Sequence, residues 1–152
     1  MIFAITLHLL AAVIWVGGMF FAYMALRPAA GGLLEPPVRQ TLWVAVFKRF
    51  FVWVWISIIT LLVSGFWMIF AELGGMANIG LHIQLMLGLG VFMMLLFMHL
   101  YFGPFRRLQQ AVIESDWQTG GTRLNQIRLL VKTNLILGLL VVIIATCGRY
   151  WI

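Results

Sequence analysis

Charge is what this chain most conspicuously lacks: 9% of its 152 residues are charged and only four are acidic. A water-soluble domain carries roughly 25% charge, so an ordinary soluble fold is excluded. Cysteine is nearly absent too, and the single Cys147 rules out an internal disulfide and any cysteine-pair metal site. The four acids, Glu35, Glu72, Glu114 and Asp116, lie outside the cores of the apolar runs. No paired carboxylate is therefore available for acid–base hydrolysis, and proton-coupled transport through intramembrane acids has no residues to use. There is no phosphate-cradling glycine loop and no nucleophile elbow, so hydrolytic and phosphoryl-transfer chemistry has no visible machinery.

Apolar residues are abundant instead, at 64% of the chain. A membrane helix needs about 20 of them in succession. Four runs qualify: Ile2 to Leu26, Phe50 to Leu73, Ile79 to Phe102 and Leu129 to Trp151. Barrel strands are half as long and alternate with period two, so the expectation is an all-α fold, an integral membrane four-helix bundle forming one domain over residues 1–152. The first run has no basic leader and no convincing cleavage site, and reads as a permanent span. The expected surroundings are a lipid bilayer.

Basic residues set an expected orientation. Arg27, Arg39, Lys48 and Arg49 lie between runs one and two, and Arg106, Arg107, Arg123 and Arg128 between runs three and four, whereas Gly74 to Asn78 has none. The positive-inside rule then puts both long connections in the cytoplasm and both termini on the outer, periplasmic side. The net charge of +6 is accounted for by topology, so no nucleic-acid partner is expected. Tyr150 and Trp151 at one end, and Trp43, Tyr101 and Phe102 at the other, read as interfacial belts. Pro36 and Pro37 open a stretch expected to run as a helix into span two, and Phe105 to Asp116 continues span three. Gln118 to Thr122, with Gly120 and Gly121, is expected to form the turn between two protruding helices.

All three histidines, His8, His82 and His99, fall inside apolar runs, where an imidazole stripped of water needs a partner. At about 1.5 Å per residue, His8 lies on the order of 10 Å in from the outer end of span one, and His82 slightly less deep in span three. They can share one layer. His99 lies about 25 Å further along the third helix than His82, too far to share one small ligand with it. His8 shares its helical face with Ala11, Ala12, Trp15, Gly18, Met19 and Ala22, a small-residue stripe that admits another helix or a flat ring. Span two offers Ser57, Thr60, Ser64 and Met68 along one face, and span four Asn134, Gly138, Val141, Ala145 and Gly148.

One reading of this pattern is a haem b held axially by His8 and His82, beside Trp15, with Arg149 at the level of a propionate. A second is that the histidines are structural, hydrogen-bonded to each other, to Ser57 or Thr60, or to water. Three histidines are too few for a two-haem carrier unless a methionine substitutes as the fourth axial ligand. A third reading takes Met86, Met93, Met94 and Met98 as soft ligands for copper(I), with His82, Met86 and Met93 on one face and His99 beyond; methionine also serves as ordinary filler of apolar surfaces.

The stretch HLLAAVIWVGG from His8 to Gly18 resembles the first-helix signature of the CopD family of small bacterial inner-membrane proteins. HIQLMLGLGVFMMLLFMH from His82 to His99 resembles that family's third helix, and NLILGLLVV from Asn134 its last. The resemblance implies a four-helix bundle associated with copper resistance or uptake, and a distant likeness to the haem b-binding HemJ-type protoporphyrinogen oxidases. There the first-helix histidine corresponds to His8. Their third-helix motif, histidine, any residue, lysine, reads His82, Ile83, Gln84 here, and the missing lysine counts against protoporphyrinogen oxidation. The function expected is that of a haem-binding membrane protein in electron transfer or redox chemistry near the outer face, with copper transport or resistance without haem, or an assembly role, as alternatives. If it is an enzyme, it is a haem-dependent membrane oxidoreductase. Its redox partner is unspecified, and the small-residue faces can equally serve a homo-oligomer.

Overall fold

The computed structural model describes residues 1–151, the side chains of Arg149 and Trp151 excepted. Its elements are α1 (Ile2–Phe21), α2 (Arg27–Leu33), α3 (Pro36–Trp67), α4 (Leu81–Leu100), α5 (Arg106–Ile113) and α6 (Trp117–Trp151), and no strand occurs among the described residues. Wide π-type turns weld three of the joints: Ala22–Leu26 joins α1 to α2, Met68–Glu72 extends α3, and Tyr101–Phe105 joins α4 to α5. Four continuous rods result, Ile2–Leu33, Pro36–Glu72, Leu81–Ile113 and Trp117–Gly148, each long and apolar enough to cross a membrane. Two of the wide turns coincide with proline. Pro104 lies inside its π turn and Pro28 just after the first one, where a ring without an N–H removes a helical hydrogen bond and needs extra room.

The rods pack as two antiparallel pairs, α1 against α3 and α4 against α6, and α6 also touches α1 and α3. Residues 73–80 link the pairs, with Gly74 and Gly75 at φ of 76° and 103°, values that side chains rarely adopt. The expected small-residue stripe on α1 is the face that packs: Ala11, Trp15, Met19 and Ala22 are all buried. Gly18 lies so close to the Phe50 ring that a Cβ there has no room. Most large apolar side chains elsewhere on the rods are exposed, from Phe3 and Val13 to Val63 and Ile143, as a lipid-facing surface requires.

The core is aromatic in the half that carries the long connections. Phe51 is its hub, with ring centroids 5.0 Å from Phe47, 4.9 Å from Phe105 and 5.3 Å from Phe97, the last two edge-to-face. Trp43, expected in an interfacial belt, is a core residue instead, 6% exposed and 5.0 Å from Phe47. Phe102 does lie outside, with Arg106 over its ring at 4.9 Å.

The connection between rods three and four differs from expectation. Gln118 to Thr122 is the first turn and a half of α6, and the chain reverses at Ser115, whose φ is 54°. Asp116 starts α6, its Oδ1 accepting from the Thr119 N–H at 3.2 Å, as an N-cap acid does. Gly120 is in the helix because Gln40 fills the space where its Cβ would be. Gln40 is 2% exposed and donates from Nε2 to the Trp117 carbonyl at 2.8 Å, pinning α6 to α3. The Asp116 carboxyl is held below its ordinary value by hydrogen bonds from the Thr119 hydroxyl and amide.

Candidate functional site

Each pair of rods contributes one histidine toward the end that carries the termini. His8, on α1, meets α3 at Ser64: its Nδ1 is 2.8 Å from Ser64 Oγ. The Ser64 hydroxyl in turn reaches the Thr60 carbonyl at 2.6 Å. A serine has one hydroxyl proton, and that carbonyl can only accept. Ser64 therefore donates to Thr60 and accepts from His8, which in the neutral imidazole selects the Nδ1–H tautomer and leaves Nε2 with a free lone pair. Metal-bound histidines are oriented in the same way, by an acceptor for the other ring N–H. Gly65 makes room for the ring, since a Cβ there would sit 3.3 Å from His8 Cε1. Of the hydroxyls expected on this face, Ser57 is buried without reaching a histidine, and Thr60 donates to the Ile56 carbonyl.

His82, in the first turn of α4, is pressed against α6. A Cβ on Gly148 would lie 2.7 Å from His82 Cβ, and one on Gly80 2.9 Å from Cε1. Its Nδ1 is buried without a hydrogen-bond partner. Native structures leave few buried ring nitrogens unpaired, so this one asks for a ligand or a water. Gln84 donates to the Ile79 carbonyl at 3.2 Å and closes the loop before α4.

His8 and His82 thus occupy two different seams, α1/α3 and α4/α6, and no hydrogen bond joins them. Trp15 lies two turns below His8, 3% exposed and edge-on to Phe97 with centroids 6.4 Å apart, a floor to the upper half of the bundle. Met93 is buried, with its Cε beside Gly138, and Met94 is buried as well, while Met86 and Met98 are partly covered. His99 is exposed, apart from the other two. The side chain of Arg149, expected to meet a propionate, lies outside the described residues.

Asn134 was only one member of a small-residue face in the sequence, yet it is the buried polar link of the α4/α6 pair. Its Nδ2 donates to the Met93 carbonyl at 3.1 Å, and its Oδ1 is buried without a partner. At the terminal end the Met1 ammonium is 2.6 Å from Glu72, the one ion pair among the described residues.

No three side chains of His, Cys, Asp or Glu come together among the described residues as they would around a bare ion. The donors on offer are isolated imidazoles, with an open nitrogen on His8 and on His82, and Met86 one turn after His82 on α4. Such a set suits an iron that brings its own equatorial nitrogens and asks the protein only for axial ligands. It also suits copper(I), for which histidine and methionine suffice. A family model described as copper resistance protein D matches residues 44–147, from α3 through most of α6. The matched segment contains His82, Met86, Met93 and Asn134 and leaves out α1 with His8. No curated protein and no solved structure matches the chain.

Proposed function

The chain belongs to the CopD family, the copper resistance protein D family of multi-pass membrane proteins, and from that premise we propose that it binds one haem b through His8 and His82 and serves electron transfer or redox chemistry in the half of the bundle that carries the termini. The observation that carries the reading is the His8–Ser64–Thr60 chain, which presents Nε2 of His8 as a lone-pair donor inside the membrane. The open Nδ1 of His82 supports it, and the missing Cβ atoms at Gly65, Gly80 and Gly148 are what allow the two histidines to pack where they do. Bound haem supplies one-electron chemistry at its iron. The chain's own part is to hold the two rings, fix the His8 tautomer and keep water out with Trp15 and the apolar faces below it. The charge asymmetry of the connections supports an inner-membrane orientation with this half facing the periplasm.

The test is haem content per chain, by pyridine haemochromogen assay, in the wild type, His8→Ala and His82→Ala. The reading expects stoichiometric haem in the first and loss from both variants. Full retention in both sinks the site assignment. A second reading, copper(I) handling, has its own support in Met86, one turn after His82 on α4, and in the family's description. It expects Met86→Leu to lower bound copper(I) and copper tolerance while leaving the spectrum of the protein unchanged.

A further inference from the structure

At the opposite end of the bundle, where α1 passes into α2, a cavity of about 360 Å³ opens between those helices, α3 and α6. Three arginines line it, Arg27, Arg39 and Arg128, together with Tyr23, Trp43 and Asn125. No acidic residue is among its walls. The carboxylates are engaged or placed elsewhere: Glu72 pairs with Met1, Glu114 accepts from Gln110 at 2.6 Å, Asp116 caps α6, and Glu35 precedes α3 without an ion pair. Three positive charges around one cavity repel one another unless an anion sits among them.

Arg27 is already posed for such a role. Its Nε donates to the Tyr23 carbonyl at 3.2 Å and its guanidinium lies 4.5 Å from the centre of the Tyr23 ring, which holds the fork in place and leaves the terminal nitrogens free to donate. Planar guanidinium forks match the oxygens of a phosphate, and basic pockets between membrane helices are where anionic headgroups bind. The aromatic walls and the exposed rim at Pro28 and Gly31 accommodate an organic group attached to that phosphate. We infer that this cavity binds a phosphate group, the headgroup of an anionic phospholipid or a soluble phosphate, through Arg27, Arg39 and Arg128. In the sequence these residues stand out only as determinants of topology, because nothing in their spacing says that the first and last connections converge. The site is about 28 Å along the first rod from His8 and independent of it.

The experiment uses the full chain, purified without added lipid and titrated with phosphatidylglycerol, phosphatidylcholine or sodium phosphate, with bound lipid read by native mass spectrometry and unfolding by tryptophan fluorescence. Phosphatidylglycerol is expected to bind and raise the unfolding temperature while phosphatidylcholine does not. Saturable stabilisation by sodium phosphate at concentrations where sodium chloride has no effect identifies a soluble phosphate as the source instead. Arg39→Gln and Arg128→Gln are each expected to weaken binding about tenfold or more, because each removes charge-assisted donors. Arg106→Gln with Arg107→Gln removes two exposed arginines of the same end outside the cavity and is expected to change nothing. Should one cavity variant fail to fold, the other carries the comparison; Arg39→Lys, which keeps the charge and loses the fork, is expected to fall between. Equal weakening by the cavity and control variants, or wild-type binding in Arg39→Gln and Arg128→Gln, overturns the proposal, as does a wild type that binds neither probe.

Discussion

Replacing Ser64 by alanine removes a single oxygen from a residue that is 5% exposed, and with it the only acceptor of the His8 Nδ1–H. Helix propensity improves slightly and no cavity larger than that atom is left, so the effect isolates the hydrogen bond. Losing the bond costs about 1 kcal/mol net, and stranding a half-buried N–H raises that to about 1–3 kcal/mol. For the ligand the consequence is larger, because the ring is free to turn over, or to switch tautomer and place its proton on Nε2. Loss of such an orienting partner lowers affinity about 10–100-fold. The assay is titration of haem into the haem-depleted protein, Ser64→Ala against wild type, with Thr60→Ala as control. The control removes a hydroxyl that serves only the Ile56 carbonyl, and leaves the backbone oxygen that Ser64 uses. It is expected to stay within about twofold of wild type, well short of the loss in Ser64→Ala. Unchanged haem affinity in Ser64→Ala, with a lowered unfolding temperature, would show the contact to be packing alone and would refute the tautomer argument.

Three further outcomes follow from the packing. Gly120→Ala drives a methyl into Gln40 and is expected to cost about 1–3 kcal/mol, as overpacking does, with part of the loss recovered in the double variant Gly120→Ala/Gln40→Ala; unfolding in denaturing detergent measures both. Phe51→Ala empties the aromatic hub, and since lipid solvates an exposed ring as well as the core does, only the packing part of the usual ~3–5 kcal/mol is lost, about 1–3 kcal/mol by the same assay. Because the Asp116 carboxyl is held low in the folded chain, its stabilisation of the α6 start is fully present above the ordinary carboxylate range and is lost as pH falls through the folded value. Amide exchange at Thr119, corrected for the intrinsic pH dependence, is expected to accelerate over that fall in the wild type and to show no such step in Asp116→Asn.

Much of the scaffold was legible because membrane helices declare themselves by length and apolarity, and the Pro36–Pro37 start of α3 by proline's preference for a first turn. The misreadings have local causes. Gly120 and Gly121 look like a turn, but the missing side chain of Gly120 serves a close approach to Gln40, while the reversal falls on Ser115, which carries no such mark. Trp43 sits near a basic stretch, as belt residues do, and only the register of α3 against α5 and α6 turns it inward. At the site, the face bearing Ser57, Thr60 and Ser64 was readable from periodicity. Which hydroxyl meets His8 depends on how α1 slides along α3, a tertiary quantity set by contacts such as Gly18 on Phe50. The arginine cavity depends likewise on the convergence of the first and last connections, which are far apart in the chain.

The central claim is that the imidazoles of the terminal half hold a haem iron. Its most direct test is the absorption spectrum of the purified wild type, oxidised and dithionite-reduced, with iron and copper measured in the same sample. The account predicts a Soret band that shifts on reduction, sharp alpha and beta bands, and one iron per chain. A colourless protein after growth with supplemented haem, with copper or neither metal in the sample, would contradict it.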